Sequence, residues 1–121
     1  MAKNPLGRGN LDHPCSVRGV LDRIGDQWSF LVIRALANGT LRFNELGREV
    51  KGISKQMLSS TLKRLEQDGY VARQLYPEVP PRVEYSLTPM GRSFLLPMNM
   101  LIEWADEHHE QIRESRRQTS A

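Results

Sequence analysis

Ile53–Arg82, which reads ISKQMLSSTLKRLEQDGYVARQLYPEVPPR, decides the fold of this 121-residue chain. In its first half Ile53, Met57, Leu58, Leu62 and Leu65 recur at the spacing that lines one side of an α-helix. The opposite side carries Gln56, Ser59, Ser60 and Lys63, with Lys55 and Arg64 on the flanks, and no carboxylate before Glu66. Such a long-armed polar face can enter a DNA major groove without repelling phosphate. Taken alone, it is equally the solvated side of an ordinary amphipathic helix.

The second half supplies context. Tyr70 to Tyr76 alternates as a strand does, and so does Val83 to Leu87. Between them Pro77, Pro80 and Pro81 remove ladder donors, so the chain must turn. This predicts a hairpin with a stiff tip directly after the helix. Arg82 is placed at that tip, where it could enter a minor groove or hold a phosphate.

Working outward, Arg42 to Val50 is predicted as a short helix with Phe43 and Leu46 inward. Lys51-Gly52 then makes a turn, Ser54 caps the long helix and Asp68-Gly69 ends it. Two helices joined by a short glycine-containing turn form a helix-turn-helix pattern. Upstream, Asp26 should cap a helix over Gln27–Ala37 that is apolar nearly all round and therefore central to the core. Before it, a first helix starting near Cys15 or Ser16 places Val17, Val20, Leu21 and Ile24 on one face and ends at Gly25.

Downstream, Thr88-Pro89 opens a last helix. Phe94, Leu95, Met98, Leu101, Ile102 and Ala105 share one face, while Leu96, Met100 and Trp104 form a second stripe. A helix packed only on its own domain needs one stripe. The second stripe predicts a homodimer, with Val17 and Leu21 assigned to the same interface. Pro97 lies inside this helix and should kink or break it, and the polar stretch from Arg113 is expected to fray.

Together these elements predict an α+β, mostly helical winged helix-turn-helix domain with additional terminal helices forming a dimer interface. Residues 13–112 form this single domain, residues 1–12 a flexible arm and residues 113–121 a polar tail. With 39% hydrophobic residues the chain should fold. No apolar run approaches the roughly 20 residues that span a bilayer, so no membrane partner is expected. The start MAKNPLGRGN lacks the apolar core of a signal peptide. One cysteine, Cys15, excludes an internal disulfide and suits a reducing cytoplasm. Net charge is only +3, but it is unevenly spread: Thr40–Arg92 holds nine Lys/Arg against six Asp/Glu, and Ser93–Glu110 holds four acids and no Lys or Arg. That split suits one surface laid on DNA and another turned away. His13, Cys15, His108 and His109 sit at opposite ends of the chain, without the close ligand pairs of a zinc site. No metal, cofactor or enzymatic activity is expected. The competing expectation is a winged helix used as a protein-interaction module, which would present an apolar surface in place of Gln56, Ser59 and Lys63.

A set of motifs carries a family resemblance: Cys15-Ser16-Val17, Ile24-Gly25-Asp26, Arg42-Phe43-Asn44-Glu45-Leu46, Gly52-Ile53-Ser54, Asp68-Gly69-Tyr70-Val71, and above all the wing YPEVPPRVEYSLTPMG from Tyr76 to Gly91. The chain resembles the HxlR-type bacterial transcription regulators, a winged helix-turn-helix family related to MarR, over about Pro14 to Trp104. The resemblance implies a homodimer on double-stranded DNA at a two-fold symmetric operator. It implies that Ser54 to Arg64 lie in the major groove and that Arg82 makes the wing contact. Several members sense electrophiles or oxidants through a cysteine near the first helix, and Cys15 matches that position. A helix N-terminus lowers a thiol pKa, and His13 is two residues away, so a thiolate there could add to a quinone or pair with a second subunit's thiol. The alternative for Cys15 is a small buried interface residue. Ser16 stands where many members have proline.

Overall fold

The computed structural model describes residues 16–120. His13, Cys15, the arm over residues 1–12 and Ala121 lie outside the described residues.

Helix α4 (Lys55–Gln67) starts where Ser54 leaves extended backbone and its Oγ accepts the Met57 N–H at 3.0 Å. Leu58, Thr61, Leu62 and Leu65 face inward and are fully buried. Met57, expected in the apolar stripe, is 40% exposed. At 100° per residue it falls about 40° beyond Thr61, at the stripe's edge, and Thr61 takes the inner place. Two further helices frame α4. In α2 (Gln27–Leu36), Val32, Ile33 and Leu36 are buried, and Asp26 accepts from both the backbone N–H (2.9 Å) and hydroxyl (2.8 Å) of Ser29. Helix α2 is not buried all round, since Leu31 reaches the surface. Helix α1 (Val17–Ile24) contributes only Ile24 to the core.

The turn into α4 needs Gly52 at φ +87°, a backbone region that L side chains rarely adopt. Before it, α3 (Phe43–Glu49) buries Leu46, and the Glu45 carboxylate reaches back to accept the Arg42 N–H at 2.7 Å. Arg42 was expected to start this helix. Instead Leu41–Arg42 form a two-residue strand, β1, because Leu41 and Arg42 pair with Tyr85 and Glu84. The other strands are β2 (Val71–Tyr76) and β3 (Arg82–Leu87), giving an antiparallel sheet in the order β1-β3-β2.

Thr88 caps α5 (Pro89–Ser93) by accepting the Gly91 N–H at 3.0 Å. Gly91 lies so close to the start of the sheet that a Cβ there would come within 2.1 Å of the Tyr70 carbonyl oxygen. The expected single last helix is two. The break falls at Phe94, and α6 (Leu95–Ser120) begins beyond it. Pro97 thus occupies the first turn of α6, where backbone N–H groups have no helical acceptor and its missing donor costs little. The expected fraying from Arg113 is also replaced by helix to Ser120, supported by the pairs Glu110–Arg113 (3.1 Å) and Glu114–Arg117 (3.3 Å).

Candidate nucleic-acid interface

The core grips α4 along Leu58, Leu62 and Leu65, and this leaves Lys55, Gln56, Ser59, Ser60 and Lys63 exposed together on the outer side. Ser54 stands at their N-terminal end, where the helix dipole is positive. Its hydroxyl oxygen is used by the cap, while its O–H can still donate. The Ser60 hydroxyl donates to the Met57 carbonyl at 3.2 Å, so it turns partly along the helix. Beside this face a cleft of about 370 Å³ separates α4 from α3, lined by Asn44, Gly47, Arg48, Ser54 and Lys55 among others. Arg48 and Asn44, both exposed, therefore join the surface.

Arg64 lies on the flank as expected, but its guanidinium is engaged within the fold. Its Nε donates to the Arg23 carbonyl at 2.8 Å, and a terminal nitrogen reaches Asp26 at 3.2 Å and the Ser29 hydroxyl at 3.1 Å. This network clamps the end of α4 to the α1–α2 junction, and Arg23 adds a 2.6 Å pair with Asp68. Burial favours the neutral form of Asp26, but the Ser29 hydrogen bonds and the Arg64 charge outweigh it and hold this carboxyl below its ordinary pKa.

The wing's register decides which side chains face α4. Val71 pairs with Leu87, Arg73 with Tyr85 and Leu75 with Val83. Side chains alternate along a strand, so these six share one face. Its inner end, Val71 and Leu87, belongs to the same core as Leu62 and Leu65. The other face carries Gln74, Tyr76, Arg82 and Glu84. Arg82 flanks the tip, in the last pair of the ladder, and is not free. It is the first residue of β3 and bonds Glu78 and Glu84 at 2.8 Å each, with its guanidinium 4.0 Å from the Tyr76 ring centre. Burial opposes its charge, yet the Glu78 hydrogen bond and the two carboxylates raise its pKa further. The side chain expected to make the wing contact is thus paired within the hairpin. Arg73, which the sequence had not singled out, is exposed on the α4-facing side. The alternation Val71, Arg73, Leu75 could have found it, because Val71 had to point inward.

A buried three-helix core, an outward α4 and a hairpin wing form a winged helix-turn-helix. The profile of HxlR-like helix-turn-helix proteins matches residues 23–113. The chain belongs to the HxlR-like helix-turn-helix family. The HTH-type transcriptional regulator YtfH of Escherichia coli is 43% identical over 102 residues, covering 84% of this chain and 81% of YtfH. The solved YtfH structure from Salmonella typhimurium superposes with a TM-score of 0.76 at 40% identity, over 91% of this chain and 99% of that one. The reduced form of the redox regulator HypR superposes with a TM-score of 0.75 at 37% identity, over 81% and 97%.

In this HxlR-like chain α6 leaves Leu96 (69% exposed), Met100, Leu101 and Trp104 (52%) facing outward, and α1 leaves Val17, Val20 and Leu21 outward. Leu101, expected on the inner stripe, joins the outer one. The ring of His108 stacks on Trp104 at 4.3 Å, and its Nδ1 lies 2.8 Å from the Trp104 carbonyl oxygen. Among the described residues no group of three or more His, Cys, Asp or Glu could hold a metal, and no helix is long and apolar enough to cross a membrane.

Proposed function

We propose that this chain is a cytoplasmic transcription regulator that binds a two-fold symmetric DNA operator as a homodimer. Each subunit puts the start of α4 into a major groove. Lys55, Gln56 and Ser59 then lie nearest the bases, with Ser54, Ser60 and Lys63 near bases or phosphates. The observation that carries this reading is the exposed, carboxylate-free face of α4 from Lys55 to Lys63. Arg64 and Arg82 support it indirectly, as the clamps of α4 and of the wing. Gln56→Ala should cost about 1–3 kcal/mol on the specific duplex and little on a random one. Equal loss on both would reject base reading by Gln56.

The same reading makes Cys15 a candidate thiol switch toward an electrophile or oxidant, supported by likeness to HypR, which is named a redox regulator. Reduced and diamide-treated protein should differ in operator affinity, and Cys15→Ser should abolish the difference. A signal would act by changing the spacing of the two α4 helices. Equal affinity of wild type under both conditions would make Cys15 structural.

A further inference from the structure

Between α4 and the wing lies an open cleft of about 380 Å³, lined by Ser59, Leu62, Lys63 and Glu66 of α4 and by Arg73 and Tyr85 of the hairpin. We propose that this cleft seats one sugar-phosphate strand of the duplex, with a phosphate held between Lys63 and Arg73. The inference rests on the DNA-binding reading above and deepens it.

The first argument is geometric. A major groove and its neighbouring minor groove are divided by a single backbone strand. If α4 lies in the major groove with the hairpin beside it, the space between them must receive that strand. The sheet creates this space. Its face is packed at Val71 and Leu87 and opens at the next pair, Arg73 and Tyr85. Arg73 is therefore carried on a strand anchored in the core, not on the tip.

The second argument is chemical. Lys63 and Arg73 approach the cleft from opposite walls, and neither forms an ion pair among the described residues. Both are exposed, so a phosphate would meet charges that no carboxylate has already matched. The arginine fork can give two parallel N–H donors to phosphate oxygens. Glu66 is the one acid in the lining. It sits one helical turn from Lys63 toward the end of α4 and pairs with neither cation within 4.0 Å. Arg82 cannot play this part, because it lies on the opposite sheet face between two carboxylates.

The test is fluorescence anisotropy of the full chain on its own upstream duplex and on a scrambled duplex of equal length, each over a series of KCl concentrations. Arg73→Ala should make the slope of log K against log salt shallower by about 0.9 per bound subunit, on both duplexes. Arg73→Lys should keep the slope. An unchanged slope for Arg73→Ala, with wild type binding normally, would overturn the phosphate seat and leave the DNA-binding reading standing. So would a loss confined to the upstream duplex, which would make Arg73 a base contact. A wild type that binds neither duplex would sink the DNA-binding reading and the seat together.

Discussion

At the residue scale, the charges of this domain divide into those spent inside the fold and those left outside it. Asp26 is the clearest case of the first kind. Its carboxylate caps α2 and meets Arg64 across 3.2 Å. Because its folded pKa lies below the unfolded value near 3.8, it contributes stability above that value and loses it as pH falls through the folded pKa. Asp26→Asn keeps the capping oxygen but not the charge. Wild type should exceed this variant by up to about 1 kcal/mol at pH 7, a figure held down by exposure of the pair. Urea melts should show the gap closing as pH falls through and below the ordinary carboxylate value near 3.8. A gap independent of pH would mean that the Arg64 charge does not matter to Asp26. Lys63 and Arg73 are the second kind, and their freedom is what the DNA-binding proposal uses.

At the element scale, much was legible because its causes are local. Ser54, Asp26 and Thr88 announce helix starts through a side chain that bonds three residues onward, and the structure places each as a cap. Leu58, Leu62 and Leu65 announce the inner side of α4 by spacing alone. The misses have non-local causes. Strand β1 exists only because Leu41 and Arg42 meet Tyr85 and Glu84 across the sheet. Arg64 turns inward toward partners 35 to 41 residues away. Arg82 is different, since Glu78 and Glu84 are its near neighbours in sequence, and strand alternation already puts Glu84 on its face. Helix α5 depends on one close approach, Gly91 against the Tyr70 carbonyl. Gly91→Ala would force that contact apart and should cost about 1–3 kcal/mol, read as a lowered Tm with the far-UV spectrum retained. An unchanged Tm would mean that α5 shifts freely against the sheet.

At the scale of the whole molecule, the outward residues sort into two surfaces. One is polar and basic, along α4 and the inner wing. The other is apolar, along α1 and α6. An uncovered apolar surface of this kind suits the proposed contact between two copies, and an operator-binding dimer needs its two α4 helices one duplex turn, about 34 Å, apart. Met100→Ala with Trp104→Ala removes two outward side chains of α6 and nothing from the core. Sedimentation should then show monomers with weakened operator binding, and a tight dimer would place the interface elsewhere. The most direct test is competition between the protein's own upstream duplex and a scrambled duplex of the same composition, at one fixed near-physiological salt concentration. Preference for the upstream duplex by about 10³-fold or more is expected of a specific operator-binding regulator. Equal affinity for the two would contradict sequence-specific recognition by α4.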